Sequence, residues 1–286
     1  MQNLSECFSN VHLTAIEYEV DSAGHNMDRS YLECLKLIRK LTNWKYAILL
    51  QNYDIPLKTN HEMAAILRAL NGSNDVSVSK PFSHRIPRYK DWSYEALHLF
   101  KDSNQNDNRT LRIAKGSTAA TLSRPFVEFI IDKLNLTILL KRFDSIRYGG
   151  DEMLMASLNS DDFLGDSLNK FLFLDHVSYI TRYTVWGWSR LPCKSRRYRH
   201  GVCVFGVEDL KTLRHSHHLF ANKMMPEMDY SAVSCWAKQL RSRTTHRPSA
   251  HNHTIDLNFY ANLPTVQFNN NRPKWRSNLE AFNCTG

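Results

Sequence analysis

An α/β fold is the class that this sequence predicts, and three neighbouring segments support it. Residues 44–50 form a short aromatic and apolar run, which is typical of a buried strand. A polar loop follows, in which Pro56 disfavours helix at the preceding residue. Residues 60–70 have a helical pattern that Asn60 can cap and that an Asn-Gly pair ends. Strand, loop and helix in this order predict a sheet flanked by helices, with binding groups at the strand's carboxyl end.

Further helices are predicted on both sides of this unit. Residues 30–41 place Tyr31, Leu32, Leu35 and Ile38 on one face and end in cations, which predicts an amphipathic helix. Ser123-Arg-Pro125 is a helix start, and apolar residues recur after it at helical spacing. Residues 73–115 read as a long irregular region. We expect one domain over residues 1–255 and a polar tail over 256–286 with little core of its own.

The composition limits the possible partners. The chain has 286 residues, 42% of them hydrophobic, and a formal net charge of +9. A basic protein can bind nucleic acid, an acidic membrane or a phosphorylated small molecule, or it can simply have a basic surface. The sequence contains no recognisable nucleic-acid-binding motif, so we expect no nucleic-acid partner. It also contains no apolar run of the length that crosses a bilayer.

Cysteines and glycosylation sequons favour the lumen of the secretory pathway. The six cysteines include no Cys-x-x-Cys pair, which argues against a structural zinc site. Six Asn-x-Ser/Thr sequons are more than we expect by chance in an asparagine-rich chain of this length. The polar start of the chain does not have the pattern of a signal peptide.

Two segments have the side chains of a group-transfer site. Tyr148-Gly-Gly-Asp-Glu152 offers a carboxylate that could take a proton. The run from Arg199 leads through a glycine-bearing apolar stretch into a basic, His-rich segment that ends in Lys223, and such cations could hold a phosphorylated leaving group. Taken alone, Glu152 could equally be an acid at a helix N-terminus, and Lys223 a solvated lysine.

Six sequence blocks, in order across residues 7–241, resemble the core-2/I-branching β-1,6-N-acetylglucosaminyltransferases. The blocks are Cys7-Phe-Ser-Asn-Val11, Asn43-Trp-Lys-Tyr46, Asp54-Ile-Pro-Leu-Lys-Thr-Asn60, Lys115-Gly-Ser117, Asp151-Glu152, and Val202-Cys-Val-Phe-Gly206 through His217-His-Leu-Phe-Ala-Asn-Lys223.

The resemblance implies a GT-A-type α/β fold and an inverting transfer of GlcNAc from UDP-GlcNAc to a glycan hydroxyl. It implies no metal or other cofactor, and a Golgi location on the lumenal side of a membrane, held by an N-terminal type II anchor. The family has its first nucleotide-binding strand ahead of the position of Cys7, so we expect the fold to be incomplete at the N-terminus and the anchor to be missing. A catalytically inactive relative that binds glycans or partners is the alternative.

Residue roles carry over position by position. The family's catalytic base falls on Glu152, and its phosphate-contacting lysine falls on Lys223. The partner arginine is either Arg199, which requires a one-residue insertion, or His200, which the direct count gives. Because no Asp-x-Asp motif holds a metal here, fixed cations are expected to neutralise the diphosphate.

The acceptor side matches less closely. Trp186 and Trp188 match an aromatic pair near the acceptor sugar, where ring faces stack on sugar C–H groups or simply pack in the core. Arg85 and Arg88 match basic acceptor-loop positions. Two positions depart from the family: Ser77 stands where we expect a sugar-binding glutamate, and Ser22 where we expect a tyrosine in the uridine pocket.

The remaining cysteine and histidine assignments follow from the same comparison. A disulfide between Cys193 and Cys203 is predicted, while Cys7, Cys34 and Cys235 match cysteines whose partners lie upstream and are expected to be free. No metal site is assigned to the histidines, because the first pair belongs to a matching family block and the later cluster has no acid or cysteine at ligand spacing. These histidines are His217, His218, His246, His251 and His253.

Overall fold

Helices and short strands alternate along the chain in a computed structural model, which describes residues 2–87, 89–161, 164, 179–245 and 255–271. The helices are α1 Gln2–Cys7, α2 Met27–Arg39, α3 Asn60–Ala69, α4 Tyr94–Leu97, α5 Arg124–Lys133, α6 Thr137–Asp144, α7 Leu154–Ser160, α8 Leu210–Arg214, α9 Tyr230–Thr245, α10 Leu257–Ala261 and α11 Pro264–Asn270. The strands are β1 Tyr46–Leu49, β2 Ile55–Pro56, β3 Ala120–Ser123, β4 Arg182–Thr184, β5 Tyr198–Arg199, β6 Val202–Cys203 and β7 Phe220–Asn222. The mixed α/β class is confirmed.

The chain divides into two compact units. The first comprises Met1–Ala47, Val78–Thr118 and Ser123–Phe173. The second comprises Ile48–Ser77, Ala119–Leu122 and Leu174–Gly286. The predicted boundary between residues 255 and 256 remains a prediction.

Amphipathic helices form the core of the first unit. Helix α2 buries Tyr31, Leu32 and Leu35, as its apolar face predicts, and it packs on α5. Helices α5 and α6 bury the large side chains of Phe126 and Phe143. The long region after residue 78, predicted to be irregular, has few regular elements but contributes buried leucines to this core.

The second unit contains a three-stranded sheet in the order β2–β7–β4. Strand β7 is central. It pairs antiparallel with β2, with Ile55 opposite Ala221, and parallel with β4, with Thr184 opposite Asn222. Strands β1 and β3, most of whose residues belong to this unit, form a two-stranded sheet. Because β4 and β7 are parallel, Lys223, the residue after β7, lies at the carboxyl ends of both strands, where binding groups are expected.

Helix α3 begins one residue earlier than predicted. Its N-cap is Thr59 and not Asn60, because the Thr59 hydroxyl accepts a hydrogen bond from Glu62 N at 3.3 Å while the Glu62 carboxylate accepts from Thr59 N at 2.7 Å. This reciprocal pair is a capping box, which satisfies two backbone donors that would otherwise lack partners.

A disulfide lies in the core of the second unit. Cys193 and Cys203 are bonded, as predicted, with their Cα atoms 5.7 Å apart. Both lie in a buried cluster with Leu57, Phe205 and Trp236. Cys7, Cys34 and Cys235 are free and exposed, which agrees with the prediction.

The start of the predicted polar tail contributes to this core. Helices α10 and α11 bury Tyr260, Leu263, Val266 and Phe268, and α10 packs on α3. The prediction of little core in this segment was wrong for residues 257–270, because these four apolar side chains are buried although polar residues surround them in the sequence. Within the described parts of the chain, no helix combines the length and apolar character needed to cross a bilayer.

Candidate active site

Two glycines shape the turn that carries Glu152. Gly149 has φ 72°, and a Cβ there would lie 2.6 Å from Arg85 Nη1. A Cβ on Gly150 would lie 2.3 Å from the backbone oxygen of Phe143, so a side chain is excluded there. The chain then makes a 3₁₀ turn over Gly150–Glu152 and enters α7. Glycine is therefore required for the backbone to approach both α6 and the Arg85 side chain.

The Glu152 carboxylate is paired with two cations of the first unit. Its Oε2 accepts a hydrogen bond from Arg85 Nη1 at 2.7 Å and lies 3.1 Å from Lys115 Nζ. The Glu152 side chain is 17% exposed, so it is partly buried and still reachable from solvent. Gly116 N donates to the Glu152 backbone oxygen at 2.7 Å, which fixes the segment of Lys115 beside the turn.

Aromatic rings flank the two cations. The Arg85 guanidinium lies 5.2 Å from the ring centre of Phe82 and 5.7 Å from that of Tyr148. Lys115 Nζ lies 6.0 Å from the Phe82 ring. Arg85 was predicted as an acceptor contact, and in the structure its guanidinium donates a hydrogen bond to the Glu152 carboxylate. Arg88 lies outside the described residues.

Asp151, the neighbour of Glu152, faces a different environment. A Cβ on Gly24, at φ 92°, would meet the Asp151 carboxylate at 2.1 Å, so this side chain lies against the Gly24 backbone. Burial raises the pKa of Asp28 well above its usual value, and the charges of Asp151 and Asp144 raise that pKa further. The two adjacent acids thus differ: Glu152 is paired with cations, and Asp151 lies near other carboxylates.

Lys223 follows β7 directly in the second unit. Its backbone oxygen accepts from Phe205 N at 2.9 Å, which fixes it against the buried Phe205 segment. Burial lowers the pKa of the Lys223 ammonium, and the charges of Arg199 and Arg182 lower it further, while Asp54 opposes them. A partly buried lysine among like charges is the arrangement that an anionic ligand stabilises.

Arg199 lies near Lys223 and is held by its own partners. Its Nη1 is 3.6 Å from Glu227 Oε1, and its guanidinium is 5.8 Å from the ring centre of Tyr53. The Tyr53 hydroxyl donates to Glu227 at 2.9 Å. His200 occupies the turn of the β5–β6 hairpin at φ 51° and is exposed. Of the two residues, Arg199 is the one whose charge acts on Lys223.

A buried ion pair between Asp54 and Arg182 acts electrostatically on Lys223. Asp54 Oδ2 accepts from Gln51 N at 2.6 Å and lies 3.6 Å from Arg182 Nη1. Arg182 also donates to Gln51 Oε1 at 2.8 Å. Burial raises the pKa of Asp54, and Arg182 partly offsets that effect. Asp54 and Arg182 were not singled out from the sequence, although Asp54 begins one of the six blocks.

The two predicted acceptor tryptophans are stacked on each other. The ring centres of Trp186 and Trp188 are 4.7 Å apart at an angle of 22°. A Cβ on Gly201, at φ 75°, would lie 2.9 Å from the Trp188 ring, so this ring rests on the hairpin turn. Trp188 is 76% exposed, which makes its outer face available to a ligand. The same hairpin carries Arg199, and β6 ends in the disulfide-bonded Cys203.

The structure leaves metal-free chemistry as a prediction. Among the residues it describes, no group of three or more His, Cys, Asp or Glu side chains lies close enough together to hold a metal ion. His218 is partly buried, and this burial, together with the charges of His217 and Lys58, lowers its pKa to about 4; its Nδ1 lies 2.9 Å from Ser216 Oγ. His246, His251 and His253 lie outside the described residues.

One contact of the site was missed by sequence reasoning. Lys115, the second cation on Glu152, was quoted in a matching block but given no role. The signal was the block itself, because Lys115-Gly-Ser117 forms the segment that bonds the backbone of Glu152.

Comparison with known proteins shows which family this chain is similar to. Residues 1–214 match the family model described as Core-2/I-Branching enzyme. Among curated proteins, the chain is 30% identical over 257 residues to a Bos taurus β-1,3-galactosyl-O-glycosyl-glycoprotein β-1,6-N-acetylglucosaminyltransferase, which covers 84% of this chain and 59% of the relative. It is 28% identical over 255 residues to enzyme 3 of that name from Mus musculus, with 84% and 58% covered. It is 30% identical over 258 residues to enzyme 4 from Danio rerio, with 85% and 60% covered.

The chain therefore spans about three fifths of the length of these curated relatives. The family model covers about three quarters of the chain and includes Glu152, Lys115 and both tryptophans. On this match, the chain belongs to the core-2/I-branching enzyme family.

Proposed function

We propose that this chain is the catalytic part of an inverting glycosyltransferase of GT-A-type fold. It moves GlcNAc from UDP-GlcNAc to a glycan hydroxyl and forms a β-1,6 branch. The observation that carries this proposal is the Glu152 carboxylate, which a glycine turn presents partly buried between two cations. This is the sequence position at which the family resemblance expects the catalytic base.

Glu152 is the proposed general base. The acceptor oxygen attacks the anomeric carbon while its proton passes to the carboxylate, and the bond from that carbon to the diphosphate breaks, so that UDP leaves with the electron pair. Both cations contact Oε2, so Oε1 is the oxygen that we assign to the acceptor hydroxyl. Arg85 and Lys115 fix the carboxylate in position, since two contacts on one oxygen restrict its rotation.

Lys223 and Arg199 are the proposed contacts of the leaving diphosphate. Fixed ammonium and guanidinium groups neutralise phosphate charge through strong hydrogen bonds, which is the role that a metal has in other enzymes. The proposal needs no metal or other cofactor. The depressed pKa of Lys223 supports it, because nearby cations would be relieved of mutual repulsion when a diphosphate binds.

The stacked tryptophans are the proposed acceptor platform. Aromatic faces bind the apolar C–H faces of sugars, and the exposed face of Trp188 is suited to this. Because the three relatives above are named for β-1,3-galactosyl O-glycosyl glycoproteins, we propose a mucin-type O-glycan as the first acceptor to test. Ser77 stands where a sugar-binding glutamate was expected, so the screen includes other glycan acceptors. Xylose is tested separately as the alternative donor sugar.

We place the activity on the lumenal side of the Golgi membrane. The disulfide between Cys193 and Cys203 supports an oxidising compartment, and the glycosylation sequons support the secretory pathway.

One specific observation favours the alternative of an inactive glycan-binding relative. Glu152 has two cationic partners, as a purely structural ion-pair cluster also would. The deciding experiment measures both UDP binding and GlcNAc transfer to a β-1,3-galactosyl O-glycan, with the bovine relative as positive control. Transfer supports the proposal, whereas binding without transfer to any acceptor in the screen supports the alternative.

A further inference from the structure

A second cationic site lies in the second unit, away from the residues discussed above. It is a pocket of about 230 Å³ at the N-terminal end of α3. Its walls come from four segments: the start of α3, the turn after α8, the end of α9 and the start of α10. At about 30 Å³ per water molecule, this space holds several waters or one small ligand group. We call it the α3 pocket.

The α3 pocket has more cationic than anionic side chains. Lys58, Arg214 and Arg243 line it together with two histidines, and the acids that line it are Glu62 and Asp256. Both acids have other partners. Glu62 accepts from Thr59 N and pairs with Arg243, and Asp256 caps α10 by accepting from Asn258 N at 3.0 Å.

Lys58 is the central group of this pocket. It is only 8% exposed, and its ammonium donates to the Ser216 backbone oxygen at 2.6 Å. An ammonium has three N–H groups, so this bond leaves two for other acceptors. Burial and, to a smaller extent, the charge of Arg243 lower the pKa of Lys58 to about 8, while the charge of Glu62 opposes this shift. An anion that binds next to this buried ammonium would stabilise its charged form.

Arg214 provides a second cation at the rim. It is exposed at the last residue of α8 and lines the α3 pocket. Across the described parts of the chain, no carboxylate lies within ion-pair distance of either Lys58 or Arg214. The positive end of the α3 dipole adds to the same potential. These groups line a space that is large enough for an oxyanion.

We propose that the α3 pocket binds an oxyanion group, a phosphate or sulfate, through Lys58 and Arg214. The volume admits a tetrahedral anion with part of the group that carries it, so the ligand is either the free anion or its ester on a sugar. The site is separate from the proposed diphosphate contacts, since neither Lys223 nor Arg199 lines it. It does not depend on the proposed transferase activity.

The test measures the melting temperature and calorimetric binding with inorganic phosphate, glucose 6-phosphate and glucose at constant ionic strength. We expect inorganic phosphate up to about 10 mM to stabilise the protein. Glucose should not, and tighter binding of glucose 6-phosphate than of phosphate would identify an ester as the ligand. Lys223→Ala should leave this binding unchanged, which distinguishes the α3 pocket from the donor site.

Two variants and one control locate the site. Arg214→Gln is exposed and should fold, and we expect it to weaken phosphate binding about tenfold. Lys58→Met keeps the length of the side chain and should abolish binding. Lys211→Gln, an exposed lysine on α8 that does not line the pocket, should bind as the original chain does. The inference is overturned if phosphate does not bind, if Arg214→Gln and Lys211→Gln bind equally well, or if Lys223→Ala loses the binding.

Discussion

The Glu152 region and the Lys223 region differ in how neighbouring charges act on the central group. Glu152 has two opposite charges within 3.1 Å, from Arg85 and Lys115. Lys223 has like charges nearby, from Arg199 and Arg182, with Asp54 as the opposing charge. The charge of Glu152 is therefore balanced by opposite charges in its own unit, whereas the charge of Lys223 is only partly balanced.

This difference indicates that the two regions have different functions. A compensated carboxylate is held in a fixed position, which is what a proton acceptor needs, because proton transfer depends on geometry. A cation cluster that is only partly compensated gains free energy when a polyanion binds, which is what a diphosphate contact needs. Substitutions in the first region should therefore change turnover, and those in the second should change donor binding.

Glu152→Gln should have the largest effect. Glutamine keeps the size of the side chain but cannot accept the proton, so turnover should fall by about 10²–10⁴-fold. The measurement is GlcNAc transfer under saturating donor. Asp151→Asn is the matched control, since its side chain lies against Gly24 and not between the two cations. If Asp151→Asn loses turnover and Glu152→Gln does not, Asp151 is the base.

Removal of the disulfide should have the next largest effect, on stability. The bond joins residues ten positions apart in the sequence. Its loss in a Cys193→Ala/Cys203→Ala variant should lower the free energy of unfolding by about 3 kcal/mol. Denaturant unfolding measures this, with Cys235→Ala as the control because that cysteine is free and exposed. Free thiols at both positions in peptide mapping of the unmodified protein would contradict the account.

Lys223→Ala should weaken UDP binding by about ten- to a hundredfold. The change removes one charge-assisted contact, worth about 1.5–3 kcal/mol. Calorimetry with UDP measures it, and Lys211→Ala, an exposed lysine of the same unit, is the control. Equal affinities in the two variants would remove Lys223 from the donor site.

Arg199 and His200 can be separated on one hairpin. Arg199→Ala should weaken UDP binding about tenfold, because the Arg199 charge acts on Lys223. His200→Ala should change it less than about twofold, because the charges that act on Lys223 are those of Arg199, Arg182 and Asp54. The reverse order would mean that the direct sequence count, and not the one-residue insertion, gives the correct alignment.

The smallest expected effect is that of metal removal. If fixed cations replace a metal, EDTA should leave UDP affinity unchanged. The titration is repeated with Mn²⁺ added back. A loss of affinity in EDTA that Mn²⁺ restores would contradict the role given to Lys223 and Arg199.

Local patterns predicted the helices better than the contacts between distant segments. The apolar face of α2 and the proline that opens α5 were recognised because both signals lie within one helix. The Thr59 cap was missed, although Thr59 and Glu62 have the spacing of a capping box. The tail was misjudged because the burial of Tyr260 and Phe268 depends on packing with other segments of the unit.

The site was predicted from sequence only in part, for a similar reason. Family blocks supplied Glu152 and Lys223, and matching of single positions supplied the tryptophan pair. They did not supply the pairing of Arg85 with Glu152, since these residues are 67 positions apart. They also gave no role to Asp54, whose contact with Arg182 joins residues far apart in the chain.

UDP affinity of the Glu152→Gln variant tests the central claim most directly, because it asks whether the two regions act separately. The account predicts a dissociation constant within about twofold of that of the original chain, together with the loss of turnover. Binding weakened to the level of Lys223→Ala, or turnover that remains nearly normal, would contradict the assignment of chemistry to Glu152 and of donor binding to Lys223.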